Sequence, residues 1–159
     1  LAMFEFASQR ALIEIAVLSD HPYALWKRRD PKPLGKGFSH AWTLVIDISQ
    51  HSVGIPFTLE YQVTRYNAYQ AENFNFIGHL VFASEEVINT RLLLPETLQI
   101  ESLLAPKRKQ QGSTDAVWED YPCDGCVESN DRGHALEWVI NGPEPGYAYK
   151  LDIDWEGSQ

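Results

Sequence analysis

The chain has 159 residues, 44% of them hydrophobic and 12% aromatic, and its net charge is −9. This composition excludes a disordered chain, and no run of about 18 apolar residues predicts a membrane helix. An acidic surface repels phosphate backbones, so nucleic acid is not an expected partner. The length predicts one domain over residues 1–159, and the start at Leu1 rather than Met suggests a domain excised from a longer, multidomain chain.

The charge is unevenly distributed along the chain. Residues 113–159 contain eleven acidic and two basic residues, whereas residues 1–112 carry eleven of each sign. The acidic C-terminal third therefore favours a basic protein surface or a cation as its partner.

Alternating apolar residues predict several strands in the first half of the chain. Residues 10–18 fit both a strand and a helical stripe, and their β-branched residues favour the strand. Residues 41–48 and 57–65 alternate more clearly and predict two further strands.

A basic segment lies between these strands, over residues 26–36. Its two prolines and one glycine predict a loop, and its first cations are Lys27, Arg28 and Arg29. A solvated loop is the ordinary interpretation, and an anion-binding or partner-docking loop is the functional one.

The middle of the chain mixes strand and helix signals. Residues 74–82 predict a strand in which Gly78 marks a bulge or a close backbone approach. Ser84 followed by two acids is typical of the start of a helix, here a short one. Residues 98–104 predict another strand, and residues 105–114 predict a polar loop.

The C-terminal segment has the clearest pattern in the chain. Two runs show every second residue apolar or aromatic. The first run contains His134, Leu136, Trp138 and Ile140, and the second contains the alternate residues from Tyr147 to Trp155. A turn rich in Pro and Gly separates the two runs, so we predict an antiparallel hairpin over residues 134–156. Its apolar face requires a second layer to cover it.

Seven or eight short strands, with at most one or two short helices, predict a mainly all-β protein. The expected architecture is an antiparallel β-sandwich of the immunoglobulin-like or jelly-roll-like kind, with a closed barrel as the alternative.

Cys123 and Cys126 have the spacing of one half of a zinc site, with His134 as the third candidate ligand. A disulfide and two ordinary thiols are the alternatives that the spacing leaves open. Two cysteines are too few for a disulfide-stapled scaffold, so we expect a reducing, cytoplasmic compartment.

Two other constellations could carry chemistry. A histidine such as His79 beside either cysteine would make a small cysteine-dependent enzyme, although a structural histidine is the favoured interpretation. The acid row Asp152, Asp154 and Glu156, joined by Glu137, could hold Ca²⁺, although a solvated face is favoured. The signatures of serine hydrolases and of phosphate- or dinucleotide-binding loops are absent from the sequence.

The favoured function is a non-catalytic module that binds another protein or another domain of its parent chain. The alternative is a module for carbohydrate or another small ligand, because loop aromatics suit such contacts. The candidate binding residues are Lys27, Arg28, Arg29, Tyr66, Tyr69, Trp118 and Tyr121.

Overall fold

The computed structural model describes residues 2–8, 13–18, 24–29, 40–46, 52, 54–65, 76–81, 84–123, 125–130 and 132–157. These residues form thirteen strands and no helix, and every strand pairing among them is antiparallel. The predicted all-β class is confirmed, with more strands than the seven or eight expected. None of the described residues forms a helix that could cross a membrane. The chain divides into two compact units, Leu1–Glu72 and Asn73–Gln159, while a single domain over residues 1–159 stays a prediction.

The first unit contains five strands in two small sheets. They are β1 (Ala2–Ser8), β2 (Ile13–Val17), β3 (Ala24–Arg29), β4 (His40–Ile46) and β5 (Tyr61–Arg65). One sheet has the order β1-β4-β3, and β2 pairs with β5 in the other. Strand β2 confirms the strand over the helix for residues 10–18. Strand β3 corrects the loop predicted from residue 26, because its basic residues carry no apolar alternation to reveal a strand.

The second unit contains eight strands in two sheets. They are β6 (Phe76–Leu80), β7 (Val87–Leu93), β8 (Leu98–Leu103), β9 (Lys107–Gln110), β10 (Glu119–Asp120), β11 (Val127–Ser129), β12 (Ala135–Asn141) and β13 (Tyr147–Gly157). The five-stranded sheet has the order β10-β9-β13-β6, with β8 also paired to β13. The three-stranded sheet has the order β11-β12-β7.

The core of this unit lies between its two sheets. Strand β12 contributes Leu136, Trp138 and Ile140, and β13 contributes Tyr149, Leu151 and Ile153, all buried in one cluster. These are the rows that the alternation predicted to face inward. Burying each large apolar side chain contributes about 1.5–3 kcal/mol, so this layer contact dominates the stability of the unit.

The predicted hairpin over residues 134–156 is wrong in its pairing. Strands β12 and β13 form where expected, but they belong to different sheets. The intervening turn carries the chain across the core, and the amide of Gly142 donates to Glu86 while that of Gly146 donates to Val81. The two apolar rows therefore cover each other, which removes the need for a separate second layer.

The predicted helix start at Ser84 is also wrong. Val87–Leu93 is strand β7, in which Ile88, Thr90 and Leu92 alternate as partly buried residues with exposed neighbours. Pairing with β12 along its whole length outweighs the local capping signal. The polar loop predicted at residues 105–114 likewise contains strand β9.

Candidate functional site

The outer surface of the five-stranded sheet carries lysine and aromatic side chains together. Tyr149 and Leu151 face the core, so Lys150 between them faces outward. Residues opposite each other on neighbouring antiparallel strands share a face of the sheet. The pairing of β13 with β6 and with β9 therefore places residues of both strands on the same outer face as Lys150. We define the lysine–aromatic face by these residues and the adjoining indole: Phe76, Gly78, Leu80, Lys107, Lys109, Trp118 and Lys150.

Lys150 holds the two rings of this face in place. Its ammonium nitrogen lies 5.2 Å from the centre of the Trp118 ring and 5.8 Å from that of Phe76. The same nitrogen forms an ion pair of 2.8 Å with Asp152. A cation–π contact at an exposed site is worth about 0.5–1 kcal/mol, so Lys150 helps to position the exposed Trp118 ring and the partly buried Phe76 ring.

Apolar surface on this face remains open to solvent. Trp118 is 41% exposed and Leu80 is 54% exposed. Gly78 has no side chain, and the Phe76 ring lies 3.5 Å from the point where a Cβ would stand. The face therefore combines a large exposed aromatic with neighbouring apolar surface, which is the composition of an interface centre.

The charge of the lysine–aromatic face differs from that of the unit around it. Residues 73–159 contain fifteen acidic and six basic residues, so this unit carries the whole net charge of −9. Three of those six bases, Lys107, Lys109 and Lys150, lie on the one face. Two acids share this face: Asp152, opposite Phe76 and ion-paired to Lys150, and Asp120, opposite Lys107. Three bases and two acids give the face a formal charge of +1, whereas the unit as a whole carries −9. A face less acidic than its surroundings can orient an acidic partner as it approaches.

A second cluster lies around Arg108 at the opposite, core-facing side of the same strands. Its guanidinium bonds Glu119 at 2.7 Å and Glu144 at 2.5 Å, and it lies 5.1 Å from the centre of the Tyr147 ring. The hydrogen bond that Arg108 donates to Glu119, together with the bond to Glu144 and the charge of both acids, raises the pKa of Arg108 above its ordinary value. The cluster ties β9 to β10 and to the turn before β13, so we interpret it as structural.

The two described aromatic binding candidates separate onto different sides of the sheet. Trp118 lies on the lysine–aromatic face, whereas Tyr121 packs edge-on against Tyr149, with ring centres 5.2 Å apart. Tyr66 and Tyr69 lie outside the described residues.

The three basic candidates Lys27, Arg28 and Arg29 belong to β3, where the backbone alone is described. Sequence reasoning missed the other members of the lysine–aromatic face. One indication was present in the sequence of β6: this strand has apolar residues on both of its faces, so one apolar face had to lie on the outer surface of the sheet.

The three candidate zinc ligands form other interactions in this structure. Cys123 and Cys126 form a disulfide, and the Nδ1 of His134 donates to the carbonyl of Leu98 at 2.7 Å. Among the described residues, no group of three or more His, Cys, Asp or Glu side chains could hold a metal ion. A bonded sulfur pair offers no thiolates, so a zinc site at these residues stays a prediction for the reduced protein.

His79 lies between the two sheets. Its Nε2 forms a hydrogen bond of 2.6 Å with the hydroxyl of Thr90, and its ring centre lies 5.4 Å from that of Trp138. These contacts agree with the favoured interpretation of a structural histidine.

The acid row is divided by the topology. Asp154 accepts a hydrogen bond from Ser102 on β8. Glu137, expected beside it, accepts from Asn89 on the other sheet. The alternative Ca²⁺ grouping, which needed Glu137 on a strand paired with β13, is therefore wrong, because β12 and β13 lie in different sheets.

The buried hydroxyl of Tyr149 predicts a loss of stability at alkaline pH. Burial raises the pKa of Tyr149 above its ordinary value of 10.0, because the ionised form is disfavoured in the core. The raised pKa makes the folded state bind the phenolic proton more tightly than the unfolded state does. The neutral Tyr149 hydroxyl therefore stabilises the fold fully at pH values below its unfolded-state pKa, and this contribution is lost as pH rises through its folded-state pKa. We expect the free energy of unfolding, measured by urea titration, to fall as pH rises above about 10.

The variant Tyr149→Phe should remove this part of the pH dependence. It should also cost about 1 kcal/mol at neutral pH, because the Glu144 amide donates to the Tyr149 hydroxyl at 2.8 Å. Tyr147→Phe is the control and should keep the alkaline decline. An unchanged decline in Tyr149→Phe would contradict the assignment to this hydroxyl.

The fold and this surface define an antiparallel all-β protein whose second unit packs two sheets and presents a lysine–aromatic face. Comparisons of the chain with protein-family models, curated proteins and solved structures found no match.

Proposed function

We propose that the chain is a non-catalytic β-sandwich interaction module that binds another protein, or another domain of its parent chain, through the lysine–aromatic face. The observation that carries the proposal is the exposed indole of Trp118, held beside Phe76 by Lys150. Tryptophan is enriched among the residues that dominate binding energy at protein interfaces.

The charges around Trp118 favour a particular kind of partner. Lys107 and Lys109 can attract carboxylates, whereas Lys150 is already paired with Asp152. The exposed side chains of Leu80 and Trp118 on the same face offer contact to an apolar side chain. We therefore expect an acidic segment that carries an aliphatic or aromatic residue. The overall negative charge still disfavours nucleic acid.

A carbohydrate is the second candidate, and the exposed ring of Trp118 supports it. Sugars stack on open aromatic faces, and Phe76 lies on the same surface. Three lysines suit an acidic protein segment better than a neutral sugar, which places the protein partner first.

The cytoplasmic location expected from the cysteine content belongs to the same proposal. A reducing compartment holds cysteine pairs as thiols. Cys123 and Cys126 form a disulfide in this structure, so the cytoplasmic proposal requires that this bond is reduced in the cell.

Binding of designed peptides tests the proposed function. We expect the 159-residue chain to bind acidic peptides that contain one Trp or Leu, measured by fluorescence anisotropy, and to ignore basic peptides of equal length. Trp118→Ala should weaken binding about tenfold or more, because it removes the central anchor. Affinity should fall with salt, because exposed charges are screened.

Matched variants identify the face. Lys109→Glu should weaken peptide binding, whereas Arg132→Glu makes the same charge change at an exposed turn and should leave it unchanged. Binding of neutral oligosaccharides in place of acidic peptides would favour the carbohydrate module. Peptide binding that survives Trp118→Ala and Lys109→Glu would contradict the proposed face.

A further inference from the structure

The edges of the two sheets in the second unit are protected unequally. Strand β10 has two residues, both acidic, and β11 has three residues with Glu128 in the middle. Short and charged edge strands of this kind prevent further strand pairing. Strand β7 at the other edge of the three-stranded sheet has seven residues, of which Arg91 is the one charged side chain. Among the described residues it pairs with β12 alone.

The hydrogen bonds beside β7 fix which of its amides face outward. The amide of Leu94 donates to the carbonyl of His134, and that of Gly142 donates to Glu86, each at 2.8 Å. Hydrogen-bonded pairs alternate in an antiparallel ladder, so the even-numbered residues of β7 bond to β12. The odd-numbered residues present their backbone N–H and C=O groups at the other edge of β7, where none of the described strands pairs with it. They are Val87, Asn89, Arg91 and Leu93.

The same four residues present exposed side chains on the outer face of the sheet. Leu93 is 64% exposed and Val87 is 50% exposed. These apolar side chains lie at opposite ends of the strand, with Asn89 and Arg91 between them. Backbone groups for a new ladder and apolar surface to stabilise it therefore occur on one strand.

The sequence of β7 is complementary to itself about Thr90. If a second β7 strand runs antiparallel with Thr90 opposite Thr90, Val87 lies opposite Leu93 and Asn89 lies opposite Arg91. This register pairs odd-numbered residues with odd-numbered residues, as the free amides require. Apolar cross-strand pairs stabilise a sheet, whereas like charges directly opposite each other would destabilise it. No like charges are opposite in this register.

The charges next to the edge also suit a second copy. Arg91 is opposite Glu137 on β12, and Asn89 donates to the same carboxylate at 2.7 Å. In the symmetric register Arg91 stands next to Glu137 of its own chain on one side and to Asn89 of the other copy on the other. Each acidic unit thus brings its own cation to the contact, which reduces repulsion at that point.

We propose that two copies of the chain associate by antiparallel pairing of their β7 strands about a two-fold axis at Thr90. The pairing joins their three-stranded sheets into one six-stranded sheet. The two copies contribute identical surfaces, so the contact closes on itself and leaves no β7 edge open. This surface is separate from the lysine–aromatic face and does not depend on the function proposed for it.

Sedimentation equilibrium of the 159-residue chain tests the proposal over a wide concentration range. We expect a monomer–dimer equilibrium, and Leu93→Lys should raise its dissociation constant about tenfold or more, because the lysine replaces the apolar partner of Val87. Ser129→Lys adds the same charge on β11, at the opposite edge of the sheet, and should leave the constant unchanged. Matching circular dichroism spectra and unfolding midpoints establish that both variants fold.

Two further variants address the backbone and the register. Arg91→Pro removes an amide that faces the free edge and spares the ladder to β12, so it should abolish the dimer and preserve the fold. Thr90→Cys should form an intermolecular disulfide on mild oxidation, whereas Ile88→Cys, which would face Leu92, should not.

The outcomes separate this dimer from its alternatives. A monomer at every concentration, or a dimer that neither Leu93→Lys nor Arg91→Pro weakens, overturns the proposal. A dimer lost in Trp118→Ala and retained in Leu93→Lys would place self-association on the lysine–aromatic face. Addition of a strand from a different protein to β7 of a monomer would likewise replace a second copy as the occupant.

Discussion

The variant Trp138→Ala is expected to lower the free energy of unfolding by about 3–5 kcal/mol. The Trp138 side chain is completely buried, in the core cluster formed by the two sheets of the second unit. Alanine would lose the apolar burial of the indole and leave a cavity that the strands cannot close without moving. A domain of this size is stable by about 5–15 kcal/mol, so the loss would be a large share of the total. Urea unfolding followed by circular dichroism measures it.

Two comparisons interpret that result. Trp118→Ala removes the same side chain from an exposed position and should cost less than about 1 kcal/mol. Trp138→Phe should cost less than Trp138→Ala, because it fills part of the site and removes an indole N–H that has no acceptor among the described residues. Equal losses in Trp138→Ala and Trp118→Ala would show that β12 does not pack against β13.

The variant Gly133→Ala is expected to lower the free energy of unfolding by about 2–4 kcal/mol. Gly133 has a φ of +68°, a conformation that L side chains rarely adopt. A Cβ there would lie 2.9 Å from Cγ of Gln99 and 3.0 Å from the carbonyl oxygen of Ile100. The amide of Ile100 donates to Gly133 at 2.9 Å, so β8 cannot move away without weakening this bond.

Gly112→Ala is the matched control for Gly133→Ala. Gly112 has a similar φ of +78°, and no atom of the described residues lies within 4 Å of the position of its Cβ. The control should cost about 1–2 kcal/mol from the backbone conformation alone. The difference between the two losses, measured by urea unfolding, gives the cost of the contact with β8. Equal losses would contradict close packing of the turn against that strand.

Residue alternation predicted the inward rows of β12 and β13 because the period of two is a local property of a strand. Leu136, Trp138 and Ile140 are buried, as are Leu151 and Ile153, where the sequence placed them. The same period was uninformative for β9, whose lysines and arginine have similar polarity on both faces. Trp118 was recognised as a candidate from its loop, but Lys107 and Lys150 come beside each other only through the pairing of β9 with β13.

By itself, the sequence determined the all-β class, the strands with apolar alternation and the faces they bury. Those properties can be predicted because side chains two residues apart lie on the same face of a strand, and the hydrophobic effect buries the face that carries the apolar ones. The tertiary structure decided that β12 and β13 lie in different sheets and that Val87–Leu93 is a strand. It also decided that Lys107 and Lys109 share a face with Lys150, which contacts two aromatic rings. Alternation states which side of a strand is apolar but not which strand lies beside it, because pairing joins residues far apart in the sequence.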